Sequence, residues 1–430
     1  MRIPILCVLA IGVTACTKAD ARVVELSQPD TVTRATTVGS APMFAVSPSG
    51  DEAIAWVSAP GGGTDGRLYI SVNKAEPLEL KDTLGPIEAH GESPPKISYA
   101  PDGALDAIYV VSKVVPGKRF PLAALRFVRS MNAGKTWSAP VTVTSDAVFG
   151  AHNFHALHVA PDGVTYVSWL GGTGPKSAAW IAHSSDDGAT WTTAVRPDSG
   201  EACPCCRTAL ATSSDGTIYM GWRKVFPGNI RDVVVAKSTD AGATWSTPVR
   251  VHADDWHYDG CPHAGPSLQV DARGMLHVAW WVGKEGAAGV YYAHSNDRGT
   301  TFSNPVALGV AKFSKPAHVQ LALGPDSSGR LVAVTWDDGT TKSPAVLLRT
   351  SHDGGNTFGP SQTISDADQA GSFPVISLTK KGIAIAWTEK TIAAAEKETH
   401  SMPDMKDPNA VMGLNPIGTA QVLVRRGTGS

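Results

Sequence analysis

The sequence predicts an all-β fold built from repeated units that are stacked or arranged around an axis. An eight-residue pattern, S-x-D-x-G-x-T-W, returns along the chain at intervals of 54 to 57 residues. Short apolar runs that often end in Trp recur with the same period. The chain of 430 residues holds 43 glycines and 30 prolines, which suits many short strands joined by tight turns. A fixed period of this size is typical of repeated supersecondary units, and we expect little helix.

The repeated pattern has the chemistry of a turn. Its copies begin at Ser130, Ser184, Ser238, Ser295 and Ser351. The third position is held by Asn132, Asp186, Asp240, Asp297 and Asp353. Ser and Asp side chains can bond nearby backbone groups, Gly permits a positive φ, and the final aromatic residue can anchor a hairpin. The pattern resembles the Asp box of sialidases and other BNR-repeat propellers. This resemblance implies a β-propeller, with each box as a structural turn between the third and fourth strands of a blade.

The recurring strands indicate seven four-stranded blades. Candidate second strands are 53–57, 106–110, 165–169, 217–222, 276–280, 331–336 and 383–387. Each first strand is anchored by one hydrophobic residue, namely Phe44, Ile97, Leu157, Leu210, Leu268, Leu321 and Ile376. The last unit has only three clear strands, so we expect a segment within residues 22–38 to supply its outer strand and close the ring. Sialidases have six blades, and six is the alternative here if the end units merge.

The N-terminus predicts export. Arg2 precedes an apolar stretch, residues 3–13, that is too short to span a bilayer. Small residues then lead to Cys16, which resembles the lipobox of bacterial lipoproteins; an ordinary secretory signal is the alternative. We therefore predict a signal peptide at 1–15, a lipid-anchored linker at 16–30 and one propeller domain at 31–430. The resemblance implies an outer-membrane lipoprotein that faces the periplasm or the cell surface.

Charge and size limit the partners. The formal net charge is −2 and no long basic run is present, which argues against nucleic-acid binding. We expect contact with the membrane only through the N-terminal lipid, and a monomer. A glycan or protein ligand remains open.

Unusual residues collect where the first strands begin. We call this side of the ring the entrance face. Five residues before the anchors of four successive units stand Glu92, His152, Cys205 and His263. Seven residues before them stand His90, Gly150, Cys203 and Cys261. Because equivalent positions of a propeller converge on its axis, the sequence predicts a metal site formed by His152, Cys203, Cys205, Cys206, Cys261, His263 and Glu92. Thiolates with imidazoles favour copper or zinc, and we favour copper.

Other interpretations of these residues stay open. The four cysteines can form disulfides in an oxidising compartment, and Cys203 with Cys261 is one candidate pair. Cys205 and Cys206 are adjacent and cannot easily bridge to each other. The histidines can simply line the channel. A second soft-ligand segment in the last unit contains His400, Met402, Met405 and Met412, for which a polar loop is an equally simple account.

The family resemblance also implies a possible activity. Sialidases hold the substrate carboxylate with three arginines, the first in an F-R-I-P-like motif. Only Arg2-Ile3-Pro4 matches it, inside the predicted signal peptide, and the first blade reads Ala41-Pro42-Met43-Phe44 instead. Whether the protein is an enzyme is therefore open, and no catalytic residue is assigned. An exo-α-sialidase-type hydrolase and a non-enzymatic glycan- or protein-binding scaffold are the alternatives to a metal-binding propeller.

Overall fold

A computed structural model of the chain describes residues 23–35, 38–59, 66–116, 121–144, 147–172, 176–325, 328–340, 343–395 and 419–428. Seven antiparallel sheets form a ring, as the repeat predicts. The first blade contains β2 (Ser40–Val46), β3 (Glu52–Ser58), β4 (Arg67–Val72) and β5 (Leu78–Leu80). The second contains β6 (Lys96–Tyr99), β7 (Leu105–Lys113), β8 (Leu122–Ser130) and β9 (Val141–Thr142). The third contains β10 (Asn153–Val159), β11 (Thr165–Gly171) and β12 (Ala178–Ser184).

The remaining blades follow the same plan. The fourth contains β13 (Glu201–Ala202), β14 (Ala209–Thr212), β15 (Ile218–Phe226), β16 (Ile230–Ser238) and β17 (Val249–Arg250). The fifth contains β18 (Ser267–Val270), β19 (Leu276–Val282), β20 (Ala288–Ser295) and β21 (Val306–Ala311). The sixth contains β22 (Val319–Leu323), β23 (Val332–Asp338), β24 (Ala345–Ser351) and β25 (Gln362–Thr363). The seventh contains β26 (Gln369–Thr379), β27 (Gly382–Thr391), β28 (Gln421–Gly427) and β1 (Asp30–Thr31). Among the described residues, helix is limited to a 3₁₀ turn, Val32–Ala35, and the helical residues 392–395.

The N-terminal strand closes the ring. Asp30 pairs with Val424 in β28, and Leu26 forms a further bridge to Gly427. The seventh blade thus takes its outer strand from the segment predicted to supply it, and the six-bladed alternative is wrong. Leu26 and Asp30 fall in the stretch that we assigned to the linker, so the paired structure begins before the predicted boundary at residue 31.

The predicted strand pattern is confirmed. All seven anchor residues lie in the innermost strands, β2, β6, β10, β14, β18, β22 and β26, which contact one another around the axis. The aromatic residues near the ends of the second strands are fully buried between blades, including Trp56, Trp222, Trp280, Trp336 and Trp387. Large aromatic side chains supply much of the apolar burial that holds neighbouring blades together.

The repeated turns are closed by a common set of hydrogen bonds. In the copy at Ser238, the serine Oγ donates to Asp240 Oδ1 over 2.7 Å and accepts from Gly242 N over 2.9 Å. The Asp240 carboxylate accepts from the backbone N and the hydroxyl of Thr244 over 2.9 and 2.5 Å. In the Asn132 copy, the amide oxygen accepts from Thr136 N over 2.8 Å, so Asn reproduces the backbone contact. These groups satisfy one another within the turn, which supports a structural role.

In two of the turns, the glycine allows neighbouring blades to pack closely. Gly188 has a φ of +81°, and a Cβ there would lie 1.9 Å from the Phe127 ring of the preceding blade. Gly355 packs in the same way against Tyr292. Only a residue without a Cβ meets both the conformational and the steric requirement at these positions.

Several predicted features lie outside the described residues. These are the signal peptide, the lipidation site Cys16, and the segment with His400, Met402, Met405 and Met412. Over the described part of the chain, no helix combines the length and apolar character that crossing a bilayer requires.

Candidate metal site on the entrance face

The fourth blade carries a loop that brings three cysteines together. Its innermost strand is interrupted, because both β13 and β14 pair with β15 and the chain loops out between them at residues 203–208. Cys203 N donates to Arg223 O over 2.8 Å, which fixes the start of this loop to β15. The thiols of Cys203, Cys205 and Cys206, which we call the cysteine cluster, turn inward and are buried, with exposed fractions of 0, 4 and 1%.

The cysteine cluster has the spacing of a thiolate metal site. Cys203 Sγ lies 4.0 Å from Cys205 Sγ and 3.4 Å from Cys206 Sγ, and all three sulfur atoms lie within 4.8 Å of one another. Metal–sulfur bonds of about 2.3 Å place the sulfurs of a trigonal or tetrahedral site roughly 3.8 to 4.0 Å apart. The described cysteines are free thiols. A metal ion could therefore be held by modest adjustment of the three side chains.

Two arginines place positive charge beside the cluster. Arg231 Nη1 donates to Cys203 Sγ over 3.2 Å, and the buried Arg223 lies close to the same thiol. Hydrogen bonds from Cys205 and Cys206, with the charges of Arg223 and Arg231, hold the pKa of Cys203 well below its usual range. The pKa of Cys205 and of Cys206 is raised, by hydrogen bonding to Cys203 and by burial respectively. Among the three thiols, Cys203 is therefore the one whose thiolate form is most favoured.

The fifth blade adds Cys261 and His263 beside the cluster. Cys261 is exposed, and a hydrogen bond with the Cys205 thiol lowers its pKa to about 7. His263 lies near enough to Cys203 and Glu92 for their charges to act on its imidazole. Its Nδ1 lies 3.1 Å from Cys261 O and is the donor of this contact, because a carbonyl oxygen only accepts. In the neutral ring, the His263 Nε2 lone pair is therefore available to a ligand.

His90 completes a group of imidazoles next to the cluster. Its ring centroid lies 5.6 Å from that of His263, and Phe154 contacts both rings. Burial, with the neighbouring charges of His263 and His318, lowers the pKa of His90 to about 3. This imidazole is therefore neutral at physiological pH, the form in which histidine binds metals.

Glu92 takes part in a buried ion pair instead of facing the cluster. Its carboxylate accepts from the backbone N and the guanidinium of Arg207, and from Gly265 N. Arg207 also donates to Val319 O over 2.7 Å. This axial ion pair joins the second, fourth, fifth and sixth blades. Since its oxygens are already committed, Glu92 has a structural role in this arrangement.

His318 stands on the other side of the axial ion pair. Its Nδ1 lies 2.7 Å from Asp337 Oδ2, and its Nε2 lies 3.9 Å from Glu92 Oε2. Asp337 also accepts hydrogen bonds from the backbone N of His318 and of Phe373. Burial raises the pKa of Asp337, but the charge and hydrogen bonds of His318 outweigh this effect, so the pKa is lowered. Phe373 packs on the His318 ring and occupies the space beside Gly91 that a Cβ would fill. This network links the start of the sixth blade to the seventh blade and to Glu92 of the second.

His152 is placed apart from the other predicted ligands. Its Nδ1 lies 3.2 Å from Ala123 O in the second blade, and its ring packs edge-on against Trp169. The cause is local, because β10 has a bulge between Asn153 and Ala156, and Phe154 takes a φ of +58°. The bulge changes the direction of the side chains before it, so equal spacing from the anchor does not bring His152 to the cluster.

The structure thus groups some of the predicted residues and separates others. Cys203, Cys205 and Cys206 meet, with Cys261 and His263 beside them, whereas Glu92 is bound to Arg207 and His152 lies elsewhere. Cys203 and Cys261, the alternative disulfide pair, are both free thiols. The sequence analysis did not identify Arg231 and Arg223 as partners of the thiols. These arginines lie near the end of β15 and the start of β16, beside the entrance face. This position is the feature of the sequence from which their contact with the thiols could have been predicted.

Two arginines near the entrance face, Arg207 and Arg223, are not arranged to hold a substrate carboxylate. Arg207 is committed to Glu92 and Val319 O, and Arg223 donates to the carbonyls of Arg231, Ala264 and Trp281. Both side chains are buried. A sialidase-type arginine clamp at these two positions therefore has no support from their contacts.

Comparison with known proteins identifies the repeat. Residues 88–258 match the family model of the BNR repeat-like domain, and no curated protein matches the chain. An ulvan lyase of polysaccharide lyase family PL25 is similar in structure, with a TM-score of 0.54 and 12% identity over 84% of this chain and 91% of that one. A protein of unknown function from Dyadobacter fermentans is also similar in structure, with a TM-score of 0.52 and 12% identity over 77% of this chain and 99% of that one. The Hadza microbial sialidase Hz136 has a TM-score of 0.47 and 17% identity over 78% of this chain and 75% of that one. At these identities the first two show a shared fold alone.

Proposed function

We propose that this seven-bladed β-propeller, part of which matches the BNR repeat-like domain, is a scaffold that binds a soft transition metal, copper, at the cysteine cluster. The observation that carries the proposal is the set of three buried thiols, Cys203, Cys205 and Cys206, whose sulfur atoms lie within 4.8 Å of one another. Three thiols at this spacing are unusual as packing residues, and soft ions are the ligands that thiolates select.

The surrounding charges favour Cu(I) over Zn(II). Three thiolates with Cu(I) carry a net charge of minus two, which the guanidinium groups of Arg223 and Arg231 balance. With Zn(II) the same three thiolates carry a net charge of minus one, so the two guanidinium groups leave an excess positive charge in a buried place unless a fourth thiolate joins the site. A trigonal sulfur site also suits Cu(I), whereas structural zinc sites are four-coordinate. Cys261 and His263 are the adjacent side chains that could complete a zinc site, so zinc is the competing ion to test.

The cellular setting is part of the proposal. The lipobox-like sequence around Cys16 supports export and anchoring as an outer-membrane lipoprotein, where the propeller would work as a monomer in metal handling or a redox reaction. An exposed entrance face on a tethered ring would allow a protein or glycan partner to reach the site. Labelling of the chain with a radioactive fatty acid in a bacterial host, with Cys16→Ala as control, tests the anchor.

A titration of the reduced protein tests metal binding. In anaerobic competition with a chromogenic Cu(I) chelator, we expect the protein to bind one Cu(I) per chain. In the equivalent competition with a zinc chelator, we expect a lower affinity for Zn(II) than for Cu(I). Cys206→Ser should lower the Cu(I) affinity strongly. If the metal-free Cys206→Ser variant has the same melting temperature as the wild-type protein, the loss of affinity is not caused by unfolding. Failure of the wild-type protein to compete for either ion would overturn the proposal.

A further inference from the structure

We propose that Cys203 and Cys206 are a redox-active dithiol, which hydrogen peroxide converts to a disulfide bridge. The bridge makes the cysteine cluster unable to hold a soft metal ion, because two of its three sulfur ligands are then bonded to each other. Formation of the bridge is independent of the proposed function, whereas its effect on copper rests on that function.

The distances within the cluster favour this pair of thiols. Cys203 Sγ lies 3.4 Å from Cys206 Sγ and 4.0 Å from Cys205 Sγ, so Cys206 is the nearer partner. Cys205 and Cys206 are adjacent in the chain, and a bridge between adjacent cysteines requires a strained ring. The bridge that needs the smallest adjustment of the Cys203 side chain therefore joins it to Cys206.

The local backbone explains why these two thiols are close. Cys203 and Cys206 are the first and fourth residues of Cys-Pro-Cys-Cys, and the chain turns at residues 204–205. Pro204 stands at the second position, where its fixed φ favours a β-turn. The first and fourth Cα atoms of a β-turn lie less than about 7 Å apart, and a disulfide needs a Cα separation of about 4.4 to 6.8 Å. The turn thus brings the pair into bridging range, and C-x-x-C is also the spacing of many redox-active dithiols.

Both ends of the turn are held in place. At one end, Cys203 N donates to Arg223 O over 2.8 Å, which joins the turn to β15. At the other end, Arg207 N donates to Glu92 Oε1 over 3.0 Å, which joins it to the axial ion pair. Since neither contact involves a sulfur atom, the two thiols stay close to each other when no metal is bound.

Burial limits the oxidants that can reach the pair. The exposed fractions of Cys203 and Cys206 are 0 and 1%, and Phe154 and Val225 pack against the cluster. Thiol–disulfide exchange requires direct contact between the attacking sulfur and the outside disulfide, so a molecule as large as glutathione disulfide is excluded. Hydrogen peroxide is close to water in size, and we therefore assign it as the oxidant.

The oxidation proceeds in two steps. Cys203 Sγ attacks one oxygen of hydrogen peroxide, the O–O bond breaks, and the leaving hydroxide takes up the proton that Cys203 released and becomes water. Arg231 Nη1, which donates to this sulfur over 3.2 Å, stabilises its negative charge during the attack. Cys206 Sγ then attacks the sulfenic acid sulfur of Cys203, the S–O bond breaks, and the hydroxide leaves as water with the Cys206 proton. Two thiols lose two electrons in total, and the peroxide is reduced to two waters.

Mass spectrometry of the metal-free, full-length protein tests the bridge. The reduced protein is treated with hydrogen peroxide, denatured, alkylated with iodoacetamide and digested with trypsin, which releases the three cysteines of the cluster together in fragment 177–207. We expect three alkyl groups on this fragment before oxidation and one afterwards. Cys205→Ser is the matched control and should form the bridge at the wild-type rate, whereas Cys206→Ser should lose its thiols about tenfold more slowly. Melting temperatures of the reduced variants check that the fold is retained.

The outcomes identify the bridged pair and its oxidant. A wild-type fragment that keeps three alkyl groups after peroxide treatment overturns the dithiol. Bridging in Cys206→Ser that is as fast as in Cys205→Ser also overturns it, because the partner of Cys203 would then be Cys205. Bridging by glutathione disulfide at the rate seen with hydrogen peroxide overturns the assignment of the oxidant.

Copper binding separates the dithiol from the proposed function. After gel filtration to remove peroxide, the bridged protein should fail to bind Cu(I) in the chelator competition, while reduced protein from the same column binds one Cu(I) per chain. Equal Cu(I) binding by both forms overturns the effect on copper. Bridging in a protein that binds no Cu(I) when reduced contradicts the proposed function alone, and Cu(I) binding without any bridging contradicts the dithiol alone.

Discussion

Arg231 donates a hydrogen bond from Nη1 to the sulfur of Cys203 over 3.2 Å. A guanidinium that points at a buried thiol favours the thiolate, which is the form that binds a metal. Arg231 is the second residue of β16, and Cys203 follows β13, so the blade itself brings the two together. This contact turns a group of buried cysteines into a negatively charged site with a matched counter-charge.

Replacing Arg231 should weaken metal binding in a pH-dependent way. The pKa of Cys203 is held low by Cys205 and Cys206 and by the charges of Arg223 and Arg231, so Arg231→Met raises it. Protons then compete better with the metal, and we expect about tenfold lower Cu(I) affinity at neutral pH. The difference should narrow as the pH rises and Cys203 ionises in both proteins. Arg196→Met, at an exposed arginine, is the control. Equal affinities at neutral pH would contradict this electrostatic role.

Breaking the axial ion pair should destabilise the ring. Glu92→Ala leaves the Arg207 guanidinium buried without its carboxylate and should cost about 3 to 5 kcal/mol in the free energy of unfolding. Glu79→Ala removes a carboxylate that pairs with Arg67 and Lys81 at the surface and should cost less than about 1 kcal/mol. Urea denaturation of both variants measures the difference. If the two variants unfold at the same urea concentration, the axial ion pair does not contribute more to stability than the surface ion pair does.

Two glycine substitutions separate backbone strain from a steric clash. Gly188 and Gly216 have φ values of +81° and +83°, but a Cβ would meet Phe127 only at Gly188. Gly216→Ala should cost about 1 to 2 kcal/mol for the left-handed conformation alone. Gly188→Ala should cost about 1 to 3 kcal/mol more, because the ring of Phe127 must move. Thermal unfolding of both variants provides the comparison, and equal losses would show that the blades do not constrain Gly188.

The acid stability of the turns depends on their carboxylates. Hydrogen bonds from Thr244 and Ser238 lower the pKa of Asp240 from 3.8 to about 2. A lowered carboxyl pKa stabilises the fold above the unfolded-state value, and this contribution is lost as the pH falls from about 4 towards 2. Asp240→Asn should therefore make the melting temperature less sensitive to acid in that window.

The natural Asn132 copy offers the reciprocal experiment. In Asn132→Asp, the melting temperature should fall more steeply between pH 4 and 2 than in the wild-type protein. The reason is that the new carboxylate would accept the same hydrogen bond from Thr136 N and would lose its charge in this pH range. Melting temperatures of both variants, measured from pH 7 to 2, check the pair. Parallel curves for all three proteins would contradict the assignment.

Much of the fold could be predicted because its repeats are local. The turns at Ser130 to Ser351 are defined by hydrogen bonds within eight residues, and the anchors follow from the spacing between turns. Closure by β1 was also predictable, since the last unit lacked a strand. The start of the paired structure at Leu26 was not, because an isolated bridge leaves no periodic pattern in the sequence.

The site was less predictable because it depends on exceptions to the repeat. Equal spacing placed Cys205, His263 and His152 in one predicted group, but the bulge before Ala156 directs the His152 ring to Ala123 O instead. Glu92 has ligand chemistry, yet Arg207, 115 residues later, takes up its oxygens. Such cross-ring contacts are set by the closed ring and not by the local sequence.

X-ray absorption at the copper edge of the Cu(I)-loaded, reduced protein tests the central claim most directly. We predict three sulfur neighbours around one copper per chain in the wild-type protein, and loss of one sulfur neighbour in Cys206→Ser. A copper surrounded only by nitrogen or oxygen, or the same sulfur coordination in Cys206→Ser as in wild type, would contradict binding at the cysteine cluster.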